Sequence, residues 1–133
     1  MRITGEMGNL AAWEKRLFYM CSARPTLHPR ALFSDVTSDY RNPAEPVPGD
    51  EVTIRLRTGR YNVDKAYLVV DNVEHVMTRV RSESMFDYYE AKINVGTDKI
   101  YYYFKVELGR TVCYYNQIGA IKDLNPYYNF QIT

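Results

Sequence analysis

The stretch KIYYYFKVELGRTVCYYN, residues 99–116, carries five tyrosines and a phenylalanine in eighteen positions. Gly109 and Arg110 separate two β-prone runs, and a glycine at the first central position suits a two-residue type II′ hairpin turn. That turn fixes register: Lys105 meets Tyr114, Val106 meets Cys113, and Phe104 meets Tyr115. Side chains alternate across a strand. Tyr102, Phe104, Val106, Leu108, Cys113 and Tyr115 therefore form an inner face, while Tyr101, Tyr103, Lys105, Glu107 and Tyr114 point outward. A three-residue loop would reverse the second strand and expose Tyr115 and Cys113. The two-residue loop is preferred because it buries the thiol, a common fate for an unpaired cysteine.

The same texture extends outward from this hairpin. In EVTIRLRT, Val52, Ile54 and Leu56 alternate with Thr53, Arg55 and Arg57, the pattern of a half-buried strand. GRYNVDK supplies turn chemistry through Gly59, Asn62 and Asp64, and KAYLVVDN follows as a second long strand, nearly apolar on both faces. EHVMTRVR, FDYYEAKINV and YYNFQIT continue the pattern, and ALFS at 31–34 is a candidate first short strand. Around eight short strands with frequent turn signals imply an all-β fold, an immunoglobulin-like antiparallel β-sandwich over residues 31–133. Before it, residues 1–30 form an N-terminal arm. Leu10, Trp13, Leu17 and Met20 fall at helical spacing there, with Asn9 available as an N-cap, so a short helix is expected over 9–22.

A chain of 133 residues with 46% hydrophobic and 25% charged residues has the composition of a globular domain that folds on its own. Its net charge of +1 argues against a nucleic-acid binder, which usually carries a clearly basic domain. Two cysteines, Cys21 and Cys113, are too few for a disulfide framework and lack metal-site spacing, so a cytoplasmic setting is expected, with export left open. No apolar run approaches the roughly 20 residues that span a bilayer.

Three outward tyrosines need a purpose. Strand propensity alone accounts for tyrosine on a half-exposed pleated surface. The sharper reading is a platform for a sugar ring, where each stacked ring removes about 50–60 Å² of apolar surface, worth about 1–1.5 kcal/mol. Two or three such contacts with hydrogen bonds reach about 4 kcal/mol, the millimolar range.

EVTIRLRTGRYNVDKAYLVVDN, then MFDYYEAKI, then KIYYYFKVELGRTVCYYNQIG resembles the N-terminal module of neopullulanases, cyclomaltodextrinases and related family 13 glycoside hydrolases, the family 34 carbohydrate-binding module. The resemblance runs from about Ala31 to Thr133. Its most specific pieces are Ile54-Arg55-Leu56-Arg57-Thr58, Phe86-Asp87-Tyr88, and Tyr102-Tyr103-Phe104 leading to Tyr114-Tyr115-Asn116. It implies a β-sandwich placed before a catalytic (β/α)₈ barrel that cleaves α-glucans such as maltooligosaccharides, pullulan or cyclodextrins. The catalytic carboxylates would lie in that barrel, typically about 250 residues long, so this chain is expected to be an accessory part of a longer enzyme and not itself catalytic. Expected partners are α-glucan oligosaccharides, bound weakly, the barrel, and a second subunit, against which the module packs in several relatives. Tyr101, Tyr103 and Tyr114 are the expected sugar or subunit contacts. Two departures stand out. Ser34 occupies the region where many members have a histidine, and Asp71-Asn72-Val73-Glu74-His75 lacks the aromatic residue that some members present. Some relatives hold calcium, but no carboxylate cluster here indicates a metal, and no cofactor is expected.

Rival readings have their own residues. Retaining glycosidases need two carboxylates about 5–5.5 Å apart, whereas Asp87 and Glu90, three apart on a strand, point to opposite faces and read as solvated or turn-stabilising groups. His28 and His75 have no nucleophile nearby in sequence. Arg55 with Arg57, and Arg79 with Arg81, suggest two basic strand faces beside aromatics, the usual single-strand nucleic-acid solution. A purely structural docking or dimerisation domain is the third rival, since tyrosine also suits protein interfaces.

Overall fold

The computed structural model describes residues 27–122 and 128–132. The expected helix over 9–22 lies outside the described residues. Ten strands are present among them: β1 (Arg41–Asn42), β2 (Glu51–Gly59), β3 (Lys65–Val70), β4 (Val73–Val76), β5 (Thr78–Glu83), β6 (Phe86–Asn94), β7 (Ile100–Leu108), β8 (Thr111–Asn116), β9 (Gly119–Ile121) and β10 (Phe130–Ile132). They form two antiparallel sheets, β1-β2-β6-β5 and β4-β3-β7-β8-β9, with β10 also paired to β7. The fold is the expected antiparallel β-sandwich.

The hairpin at the heart of the sequence forms in the expected register, with Phe104 opposite Tyr115, Lys105 opposite Tyr114 and Val106 opposite Cys113. Gly109 adopts φ 58°, the left-handed value that a type II′ turn requires of its first central residue. Asp64 Oδ2 accepts the Gly109 N–H at 2.7 Å, which ties this turn to the start of β3. Tyr102, Phe104 and Val106 are at most 1% exposed. The inner face of β7 joins Val52, Ile54 and Leu56 of β2, and Leu68 of β3, in one core.

Phe130 of β10 completes that core. Its ring stacks on Tyr102 at 5.2 Å and meets Phe104 edge-on at 5.8 Å, and Tyr115 lies 6.2 Å away. Arg41 crosses between the sheets at the edge of this cluster. Its guanidinium donates to the Tyr102 hydroxyl at 3.3 Å and to the Gln131 carbonyl at 3.0 Å.

Three sequence expectations are corrected. ALFS is not a strand: Pro29–Ala31 make a 3₁₀ turn, and only Phe33 bridges to Arg57. KAYLVVDN ends two residues early, because Asp71 and Asn72, at φ 48° and 68°, form the two-residue turn into β4. That is the left-handed pair of a type I′ hairpin, which asparagine and aspartate tolerate. EHVMTRVR is two strands, since Val73–Val76 pair with β3 while Thr78–Glu83 pair with β6 in the other sheet. Met77, buried between them, donates its N–H to Ala66 and marks the crossing from one sheet to the other.

Burial raises the Tyr102 phenol above its ordinary value, and burial does the same for Tyr89 and Tyr115. The neutral form is the one the fold holds. Stability linked to these phenols is therefore fully present below pH 10.0, the ordinary value, and is lost as pH rises through the raised values. In a tyrosinate absorbance titration, Tyr89, Tyr102 and Tyr115 should ionise only together with loss of β-sheet circular dichroism; full ionisation with the sheet intact would contradict this packing.

Candidate functional site

The outer face of the β4-β3-β7-β8-β9 sheet is built by the residues that alternation leaves over. One row runs Val76, Tyr67, Lys105, Tyr114, Ile121 across five strands. The next sets Glu74 beside Val69 and Val69 beside Tyr103. Tyr101 stands one pleat further, about 7 Å along the strand. Tyr103 and Tyr114 meet edge to face, with ring centroids 5.9 Å apart and planes at 69°. Tyr101 is 43% exposed, while Tyr103 and Tyr114 are half-buried against each other. The three tyrosines do share a face. Two of them form a packed pair and the third stands free beside it.

Lys105 sits at the centre of this face. Its ammonium donates to Glu74 at 2.8 Å, lies 3.4 Å from Glu107, and rests 5.2 Å from the centre of the Tyr67 ring. The hydrogen bond to Glu74 holds its pKa above the ordinary amine value. Burial, then the neighbouring Tyr114 and Glu74, push the Tyr103 phenol upward, so it is a neutral hydroxyl donor at neutral pH. The face thus offers π-surfaces bordered by a fixed ammonium and two carboxylates.

Sequence reasoning missed Tyr67 and Val69 on this face. KAYLVV is apolar at nearly every position, so alternation alone did not separate its sides. Val69 is 2% exposed although it points away from the main core. Beneath the hairpin, Cys113 is buried as expected, its Sγ 3.6 Å from the carbonyls of Tyr114 and Ile121, and burial pushes its thiol pKa up.

The rival residues are accounted for by their partners. Asp87 is not solvated: it is 1% exposed and accepts hydrogen bonds from the Tyr61 N–H and the Ser82 hydroxyl, the turn-stabilising role. Glu90 lies on the opposite face, clamped by Arg55 at 2.9 and 2.7 Å. Arg79 and Arg81 do not share a face. A bulge at Val80 sets Arg79 opposite Tyr89 and Arg81 opposite Tyr88, and these tyrosines point to opposite sides. Arg81 pairs with Glu83 and covers the Tyr88 ring, so the basic strand is neutralised locally. Ser34 is interior, its hydroxyl donating to the Arg55 carbonyl at 2.7 Å. The Asp71-Asn72 turn is stitched to Tyr101, with Asp71 donating its N–H to the Tyr101 carbonyl at 3.0 Å.

With this architecture in view, comparison with known proteins is decisive at the level of family. The domain described as alpha amylase, N-terminal ig-like domain, matches residues 39–132. The chain belongs to the alpha amylase N-terminal ig-like domain family. Solved structures of similar fold include a cyclomaltodextrinase (18% identity, TM-score 0.63) and a maltogenic amylase from S. marinus (12%, 0.62). A third is the type III pullulan hydrolase from Thermococcus kodakarensis (18%, 0.51). The alignments cover 77%, 77% and 76% of this chain but only 19%, 14% and 16% of those proteins, respectively. No curated protein matches the chain. This ig-like domain is therefore an accessory module, and the described residues are strands and turns rather than the alternating strands and helices of a barrel. No described helix is long and apolar enough to cross a membrane.

The division of β7 into core and surface tyrosines makes a measurable contrast. Tyr102→Ala should cost about 3–5 kcal/mol of stability, and Tyr101→Ala within about 0.5 kcal/mol, read from urea denaturation midpoints at constant slope. Equal losses would contradict the assigned faces.

Proposed function

We propose that this ig-like domain holds α-glucan oligosaccharides, such as maltooligosaccharides, pullulan fragments or cyclodextrins, against its outer β3-β7-β8 face. It would thereby position them for a catalytic barrel of the same alpha-amylase-family glycoside hydrolase. The observation that carries the proposal is the Tyr103–Tyr114 pair beside the exposed Tyr101, on a face whose polar groups are fixed by Lys105. Tyr101, Tyr103 and Tyr114 supply stacking surface. Glu74, Glu107 and the tyrosine hydroxyls supply hydrogen-bond partners for sugar hydroxyls. The reading needs no cofactor. Family membership and the fold shared with amylolytic enzymes support an α-linked glucan as the ligand.

Affinity at one such face is weak, in the millimolar range expected for two or three ring contacts. Tethering to a barrel makes weak binding useful by raising the local sugar concentration. The second reading gives the same tyrosines to protein: a contact with the barrel or a second subunit, favoured by how much of Tyr103 and Tyr114 is already packed.

An amide-shift NMR titration of the 133-residue chain with maltohexaose, with cellohexaose as control, separates the two. Binding by the proposed face gives saturable shifts along β7 and β8 with the α-linked sugar only, weakened about tenfold or more by Tyr101→Ala combined with Tyr114→Ala. Absence of shifts at several millimolar sugar would assign the tyrosines to a protein contact.

A further inference from the structure

A second feature lies away from the tyrosine face. The 3₁₀ turn Pro29–Ala31, the β2–β3 turn and the β5–β6 turn surround an open cavity of about 640 Å³, within the size range of ligand sites. Its apolar lining comes from Ala31, Met85 and Phe86, and its polar lining includes His28, Arg30 and Arg60. Among the described residues no aspartate or glutamate lines it. Among the described residues Arg30 and Arg60 have no carboxylate partner; the Arg60 guanidinium donates only to the Ser84 carbonyl at 3.3 Å and the Tyr61 hydroxyl at 3.4 Å. Arg57 lies against the Phe86 ring at 4.2 Å and the Phe33 ring at 5.2 Å. Two carboxylates close by in sequence are already engaged: Asp87 is buried, accepts two hydrogen bonds and lies 3.9 Å from Arg79, and Glu83 pairs with Arg81. Two arginines without a carboxylate partner among the described residues thus border one apolar recess.

The tips of this recess are held outward. Met85 is 76% exposed and Tyr61 is 71% exposed. Tyr61 adopts φ 55° and Ser84 φ 59°, left-handed values that are uncommon outside glycine and exceptional for a bulky residue such as tyrosine. The Asp87 carboxylate fixes the Tyr61 N–H at 2.9 Å, and Met85 accepts the Arg60 N–H at 2.9 Å, so the two turns act as one unit. Strain of this kind persists where the surroundings enforce it, and it accumulates at binding sites.

We propose that this recess docks a protein segment carrying an apolar side chain flanked by carboxylates. The apolar side chain enters over Met85 and Phe86, and the carboxylates meet Arg30 and Arg60, which have no carboxylate partner among the described residues and stand together at this recess. Charge complementarity selects this occupant. A neutral sugar would leave the arginine charges unmet. A nucleic acid would call for a longer unpaired basic stripe, whereas the neighbouring Arg79 and Arg81 are paired with Asp87 and Glu83.

The test uses the 133-residue chain and three labelled hexapeptides, EDLFDE, KKLFKK and EDSGDE, followed by fluorescence anisotropy and amide shifts. The proposal expects saturable binding of EDLFDE, with shifts confined to residues 28–31, 59–61 and 84–86, and at least about tenfold weaker binding of the other two. Met85→Asp should weaken EDLFDE about tenfold, and Arg30→Glu with Arg60→Glu should move the preference to KKLFKK, while both variants keep the dispersed amide spectrum of the folded chain. Equal binding of EDSGDE would reduce the site to bulk charge and overturn the proposal. So would no binding of EDLFDE, shifts elsewhere on the domain, or tighter binding of an oligothymidylate in the same assay.

Discussion

Everything in this domain follows from the two-residue period of β7. A strand must send consecutive side chains to opposite sides, so a run of aromatic residues cannot be all core or all surface. Tyr102 and Phe104 go inward to Phe130 and Tyr115, and Tyr101 and Tyr103 go outward. β7 also pairs with β3 on one side and with β8 and β10 on the other, so three strands take their register from it. A slip of one residue would place the phenols of Tyr101 and Tyr103, with the Lys105 charge, in the core, where an unpaired charge costs several kcal/mol.

The two outer faces then divide the chemistry. On the β2-β6 face, Arg55 is clamped to Glu90, and Lys92 lies 4.0 Å from Glu51, a surface whose charges answer one another. On the β3-β7-β8 face one lysine orders a field of aromatic rings. At the turns, Arg30 and Arg60, without a carboxylate partner among the described residues, border an apolar recess instead. Sites of different character therefore sit on different parts of one small sandwich, each carried by a scaffold whose interior is already filled.

Much of this was legible in the sequence because the signals are local. Alternation in EVTIRLRT and KIYYYFKVEL, with Gly109 between two β-prone runs, sets both the core of β2 and the register of the β7–β8 hairpin. Features that depend on tertiary context were not legible. Nothing in EHVMTRVR announces that Met77 crosses between sheets, since no glycine or proline interrupts it. The bulge at Val80 that parts Arg79 from Arg81 has no composition of its own. In GRYNVDK the left-handed residue is Tyr61 rather than Gly59 or Asn62, because the buried Asp87, distant in sequence, fixes its N–H. At the candidate site, shared faces were readable from spacing. The packing of Tyr103 onto Tyr114, and the part played by Tyr67, depend on side-chain geometry that spacing does not encode.

The claim at the centre of this account is that one strand commits alternate tyrosines to structure and to contact. Photo-CIDNP of the tyrosine rings, recorded with and without maltohexaose, addresses it in a single spectrum. The account predicts signals from Tyr61, Tyr101, Tyr103 and Tyr114 and none from Tyr102, with the sugar quenching Tyr101, Tyr103 and Tyr114 while Tyr61 stays unchanged. A signal from Tyr102, or quenching of Tyr61 with Tyr101 untouched, would contradict it.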